Sequence, residues 1–275
     1  MATALVTGAT SGIGREFCWQ LAGDGHDLVI VARDTGRLEA LAQEIHAVCG
    51  VSVEVLPADL GDPHQLARVC ERLSVQRGSR DVSPSTLPGV FPPDPFLAPV
   101  SLLINNAGFG LGRPFLEGGL THELHALDVM VRAVMETCYY AGRAMRECGR
   151  GAIVNVSSVA ADTGMGPYSA HKAWVRAFSE GLAEELRGTG VTVTAVMPGL
   201  TRTEFHERNG SADAFAATPD AMWLTADQVV RETLAAVRRG QVLVTPSLQY
   251  KALYHLTRIT PRSVVRGVVH RMPHS

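Results

Sequence analysis

Residues 7–14 read Thr7-Gly8-Ala9-Thr10-Ser11-Gly12-Ile13-Gly14, set between a short apolar run at 4–7 and a segment whose Ile13, Phe17, Leu21 and Ala22 recur at helical spacing. A strand that turns sharply into a helix aims the helix's unpaired N–H groups, and the positive end of its dipole, at whatever lies above the sheet edge. That arrangement suits a pyrophosphate. Each glycine has its own steric reason. Gly8 takes the left-handed turn, Gly12 admits a phosphate close to the backbone, and Gly14 lets the helix press on its strand. The spacing is not G-x-G-x-x-G, because three residues separate Gly8 from Gly12 and one separates Gly12 from Gly14.

Working outward, residues 28–32 form an apolar run that suits a strand buried on both faces, and with the first strand and helix it completes a βαβ unit. Where such a second strand ends, an acid pairs with the ribose 2′-hydroxyl of NAD, whereas a cation accepts the 2′-phosphate of NADP. The chain has Ala32-Arg33 there, so charge sign favours NADP(H) over NAD(H), with Arg15 and Arg37 as further candidates and Asp34 as a partial neutraliser. Strand and helix patterns then alternate to about residue 245. The expectation is an α/β fold, a doubly wound parallel sheet of the Rossmann type, in a single domain over 1–245 followed by a basic tail over 246–275.

A chain of 275 residues with 46% hydrophobic content can bury a sizeable core, and its net charge of −2 leaves no global electrostatic case for nucleic acid. The five cysteines are an odd number and none forms a C-x-x-C pair, which points to buried thiols in a reducing compartment. The first strand begins almost at once, without a charged leader or apolar h-region, and no apolar run approaches membrane-spanning length. The expected location is the cytoplasm.

Five motifs follow one another: Thr7-Gly8-x3-Gly12-x-Gly14, Asn105-Asn106-Ala107-Gly108, Ser157-Ser158, Tyr168-x3-Lys172 and Pro198-Gly199. In that order they resemble the classical short-chain dehydrogenase/reductase family over roughly residues 2–245. The resemblance implies an NADP-dependent oxidoreductase moving hydride between nicotinamide and a carbonyl/alcohol pair, assembled as a homodimer or homotetramer. Its implied catalytic residues are Ser158, Tyr168 and Lys172. Its implied cofactor contacts are Gly8, Thr10, Ser11, Gly12, Ile13, Gly14, Arg33, Asp59, Leu60, Asn105, Ala107, Gly108, Tyr168, Lys172, Pro198, Gly199, Thr201 and Thr203.

The chemistry is also readable from the residues. Tyr168 and Lys172 lie one helical turn apart, and an ammonium group beside a phenol lowers its proton affinity from near the usual value of about 10. A serine hydroxyl on the same carbonyl oxygen orients it and stabilises developing charge. No metal is implied: His122 and His125 lie one turn apart but lack a third ligand, which makes them surface residues.

The chain departs from the family in three places. Met130, in Leu127-Asp128-Val129-Met130, stands where the family has an asparagine that holds a helix irregularity and a water-linked proton path to the lysine. Its loss implies a less ordered path and supports an alternative reading, an NADP-binding regulatory or scaffold protein with little turnover. The interval from Ser158 to Tyr168 is short, tightening the loop at 159–167. Residues 74–99, with prolines at 84, 88, 92, 93, 95 and 99, suggest an extended surface insertion. The tail carries Lys251, Arg258, Arg262, Arg266 and Arg271 and no acid. Packing on its own domain or a subunit interface is favoured there over membrane-surface contact. Residues 205–222, with Trp223, read as a lid over a partly apolar substrate.

Overall fold

The computed structural model describes residues 2–76, 90–91, 98–210, 218–261 and 267. Strand β1 (Thr3–Thr7) is buried at all five positions and pairs in parallel with β2 (Asp27–Ala32) on one side and β5 (Val100–Asn105) on the other. Among the described residues the sheet has eight strands in the order β4-β3-β2-β1-β5-β6-β7-β8, with β3 (Val53–Pro57), β6 (Gly151–Val156), β7 (Val191–Val196) and β8 (Leu243–Val244) all parallel and β4 (Val90–Phe91) at the edge. After β3 the chain crosses back over β1 to enter β5. The carboxyl ends of β1 and β5 therefore part, leaving the crevice in which open α/β sheets hold ligands.

Alternate residues of each strand feed two cores, one per face. On one face Ala4, Val6 and Ile30 meet α1 (Gly12–Gly23), α2 (Thr35–Cys49) and α8 (Ala226–Arg238) through Phe17, Leu41 and Val230. On the other, Leu5, Val29 and Leu103 meet α3 (Pro63–Leu73), α5 (Ala133–Glu147) and α6 (Gly166–Glu185) through Leu66, Val134 and Phe178. Helices on both faces explain why the strands are apolar runs rather than alternating ones. The expected doubly wound, Rossmann-type single domain is the observed fold.

Three segments are defined more finely than the sequence reading has them. The insertion contributes a two-residue edge strand, β4 (Val90–Phe91), antiparallel to Val53 and Glu54; residues 77–89 and 92–97 lie outside the described residues. Residues 120–147 are α4 (Leu120–Leu127), a π-helical turn (Asp128–Arg132) and α5 in succession. The first part of the tail is a helix, α9 (Leu248–Ile259), whose Tyr250 and Tyr254 are buried, and it rests on the short turn Val159–Asp162 of its own domain. Residues 262–266 and 268–275 lie outside the described residues, with most of the basic charge. Among the described residues no helix is long and apolar enough to cross a membrane.

Candidate active site

The crevice at the strand ends is a cavity of about 1020 Å³. Its floor is the glycine turn. Gly8 (φ 66°) and Gly12 (φ 51°) are left-handed, and a Cβ on Gly8 would come within 2.8 Å of Asn106 Nδ2. Gly14 is tighter still: a Cβ there would stand 2.1 Å from the Gly8 carbonyl oxygen, so only glycine lets α1 start this close to the turn. Ser11 precedes α1 without its side chain capping any N–H, and the first turn holds no acid, which leaves the helix N-terminus available to an anion. The turn is pinned from below by Thr7, whose Oγ1 accepts the N–H groups of Asn106 and Ala107 at 3.0 and 3.1 Å, and by Asn106 Nδ2 donating to the Thr7 and Gly8 carbonyls.

At the outer end, Arg33 is exposed in the cavity wall and takes no ion-pair partner among the described residues. Asp34, its expected neutraliser, is occupied elsewhere: it caps α2 by accepting the Arg37 N–H at 3.0 Å. Arg15 is outside the cavity and paired with Glu44 at 3.0 Å. Arg37 and Arg208 line the cavity but clasp Glu204 between them, and they also donate to the Thr10 carbonyl and the Ser11 hydroxyl. Their hydrogen bonds and charges hold the Glu204 carboxyl below the usual range. Asp59 and Leu60 line the same end. The Asp59 carboxylate receives the Gly61 N–H at 2.9 Å, and the cap of α3 is Asp62 instead.

The centre of the cavity brings together Ser158, at the end of β6, with Tyr168 and Lys172 on α6. Gly166 and Pro167 start that helix immediately before Tyr168, and Ser157 fastens β6 to it by donating to the Lys172 carbonyl at 2.7 Å. Lys172 is 4% exposed; its ammonium donates to the Val156 carbonyl at 2.8 Å and lies 5.8 Å from the centroid of the Tyr168 ring. Ser158 accepts the Ala160 N–H at 3.1 Å, and its hydroxyl also hydrogen-bonds the Tyr168 phenol.

The electrostatics correct one expectation. Burial pushes the Tyr168 phenol up to about 12, with the Ser158 hydrogen bond pulling the other way, rather than Lys172 drawing it down. Burial also drives Lys172 down to about 8, because a dry site disfavours its ammonium form. The pair therefore rests near neutrality as a protonated phenol beside an amine that exchanges its proton easily.

Several placements differ from the sequence reading. Asn105 is not in the cavity; it is 5% exposed and bridges strands and helices, donating to Asn155 Oδ1 and accepting from Thr137, each at 2.9 Å. Gly14 shapes the turn without lining the cavity. The remaining residues expected to contact cofactor, Gly8, Thr10, Ser11, Gly12, Ile13, Ala107, Gly108, Pro198, Gly199, Thr201 and Thr203, do line it. His125 is in the wall at the Asp59 end, its Nε2 3.8 Å from Asp59 Oδ1, rather than a simple surface residue. The π-helical turn forms around Met130, which is 2% exposed, so this helix irregularity does not require an asparagine side chain. Tyr250 and Leu253, from the tail helix, also line the cavity. Phe215 of the expected lid lies outside the described residues. Among the described residues no group of three His, Cys, Asp or Glu side chains is placed to hold a metal.

A profile described as short chain dehydrogenase matches residues 2–82 and 96–214. The probable oxidoreductase EphD of Mycobacterium tuberculosis is 28% identical over 276 residues, covering 94% of this chain but 43% of that protein, so the chain spans less than half of its length. Sulfoacetaldehyde reductase of Chromohalobacter salexigens is 31% identical over 235 residues, covering 84% of this chain and 83% of that one. Among solved structures, the short-chain dehydrogenase from Sphingobium yanoikuyae in complex with NADPH superposes with a TM-score of 0.79 at 31% identity, covering 100% of this chain and 98% of that chain.

Proposed function

This chain belongs to the short-chain dehydrogenase family, and on that premise we propose that it is an NADP(H)-dependent reductase or dehydrogenase acting on a carbonyl/alcohol pair. The observation that carries the reading is the convergence of Ser158, Tyr168 and Lys172 on one cavity with an uncapped helix N-terminus behind a left-handed glycine turn. Residues 1–245 act as the catalytic domain, and the tail helix adds a wall.

The cavity suits a dinucleotide in kind. The glycine turn leaves backbone room for phosphates, and Thr201 and Thr203 stand beside it, a Cβ at Gly12 meeting the Thr203 methyl at 2.9 Å. Asp59, Leu60 and His125 would hold the adenine end. Arg33, which has no ion-pair partner among the described residues and follows the uncharged Ala32, would receive the 2′-phosphate, which favours NADP over NAD. NADPH, when bound, supplies the hydride.

The residues around the reacting carbonyl do the rest. Ser158 donates a hydrogen bond to the substrate oxygen and orients it, keeping its own proton. Tyr168, kept protonated by burial, hands its proton to that oxygen as charge develops, and the neighbouring Lys172 replaces it. The amine suits this role because its proton affinity is near neutrality. Met130 lies within the formed π-helical turn, which favours turnover over a purely regulatory role.

Leu120, Leu124, Met135 and Tyr139 leave an apolar face on α4 and α5 exposed, which supports a homodimer or homotetramer through these helices. All five cysteines are free, in keeping with the cytoplasm. The test of function is NADPH consumption over a panel of aldehydes and ketones. The reading expects turnover that Tyr168→Phe abolishes, and turnover retained in that variant contradicts it.

A further inference from the structure

Resting on the reductase reading, we propose that the substrate end of the cavity takes a bulky uncharged ketone and excludes anionic carbonyl compounds. Leu111, Val159, Met165, Phe205, Met222 and Leu253 line the cavity, interspersed with the small polar Thr163, Asn209 and Thr218. The Phe205 ring is 5.8 Å from the Tyr168 ring, so an apolar surface begins beside the reacting phenol. Residues around Leu111 press on the lid: a Cβ at Gly112 would stand 1.8 Å from the Asn209 carbonyl oxygen.

The tail helix completes this wall. Tyr250 is 2% exposed and lies against Gly199, and its hydroxyl is fully engaged, accepting the Leu200 N–H at 3.1 Å and donating to the Met222 carbonyl at 2.8 Å. It joins α9 to the Pro198-Gly199-Leu200 segment and to the lid at once. Leu253 follows one turn later on the same helix face and is presented to the cavity.

Charge decides the class of substrate. The cations among the described lining residues are engaged by other groups of the protein, Arg33 excepted. Arg37 and Arg208 are tied to Glu204 and to the glycine turn, and Arg33 follows β2. His125 faces Asp59 at 3.8 Å, and Lys172 is fixed on the Val156 carbonyl at 2.8 Å. Arg202 and Arg176, outside the lining, are paired with Asp220 at 2.6 Å and Asp162 at 2.5 Å. A carboxylate or sulfonate against this apolar lining loses its water and meets only cations already held by other groups, whereas an aryl or long alkyl group gains apolar contact.

A matched pair of ketones tests this, butyrophenone and benzoylpropionate, which share the aryl ketone and differ by a terminal carboxylate. The expected result is a kcat/KM for butyrophenone at least about 100-fold higher with NADPH. Leu253→Arg is expected to narrow that ratio by about 10-fold, through a cation at the wall. Calorimetric binding of both ketones to the NADP⁺-loaded protein is measured alongside. Preference for butyrophenone in binding without any reduction supports this inference while ending the hydride-transfer reading. Equal or tighter binding of benzoylpropionate, or failure of butyrophenone to bind, overturns the inference even if other carbonyls are reduced.

Discussion

Replacing Lys172 by methionine removes the one buried amine of the site while nearly keeping its length, and the consequence is calculable. Burial lowers the Lys172 proton affinity from 10.5 to about 8 in the folded protein. Between those values the unfolded chain holds a proton that the native chain has released, so stability rises with pH across this window. The full rise is on the order of 3 kcal/mol. Below pH 8 both states carry the proton, and the native state bears the entire desolvation penalty.

The variant has no such limb. At pH 7 it escapes that penalty but leaves the Val156 carbonyl without its donor, which costs about 1–2 kcal/mol. It is therefore expected to be about 1–2 kcal/mol more stable than the parent at pH 7 and to lose that advantage by pH 10.5. The buried thiols of Cys70 and Cys138, pushed up to about 12, and of Cys18, raised further, weaken the fold above pH 9. They act equally in both proteins and cancel in the difference. Urea unfolding of both proteins at half-unit steps from pH 7 to 10.5 gives that difference directly. A parent-minus-variant stability that stays flat between pH 8 and 10.5 refutes the assignment of a depressed buried amine.

Three further outcomes follow from the geometry. Gly14→Ala places a methyl group 2.1 Å from the Gly8 oxygen and is expected to cost about 2 kcal/mol and at least 10-fold in NADPH affinity. Gly23→Ala, with nothing within 4 Å, is the control and should not destabilise; unfolding curves and NADPH fluorescence titrations check both. Arg33→Ala is expected to raise the NADPH Kd by about 10–100-fold while leaving the NADH Kd within about twofold, as read by titration at fixed salt. Met130→Asn restores the family's side chain in a turn that already forms. Higher kcat across a pH series is expected, and an unchanged kcat at every pH removes any role for that side chain.

Much of this was legible because the decisive signals are local. The glycine spacing of 8, 12 and 14 has a steric meaning within a single turn, and the four-residue step from Tyr168 to Lys172 defines one helix face. The apolar runs showed that both faces of the sheet are covered. What stayed hidden depends on distant parts of the chain. Glu204 meets Arg37 across 167 residues, and Tyr250 meets Leu200 across 50, through packing that no window of sequence encodes. The raised Tyr168 proton affinity was hidden for a similar reason: the neighbour in sequence is a cation, but burial dominates. Val90–Phe91 escaped notice because two residues pairing on a sheet edge carry too short a pattern amid prolines. Asn105 misled because paired asparagines at a strand end look alike, while the alternation of a strand sends one into the core and the other to the cavity.

The most direct measurement of the central claim is isotope transfer in a single turnover. Enzyme loaded with NADPH deuterated at the transferable position of nicotinamide is mixed with a ketone, and deuterium in the product alcohol is counted. Transfer in the parent, with unchanged NADPH binding but a loss of about 100-fold or more in rate for Tyr168→Phe, is the predicted result. Transfer at the parental rate in that variant, or NADPH bound without any deuterium reaching carbon, contradicts it.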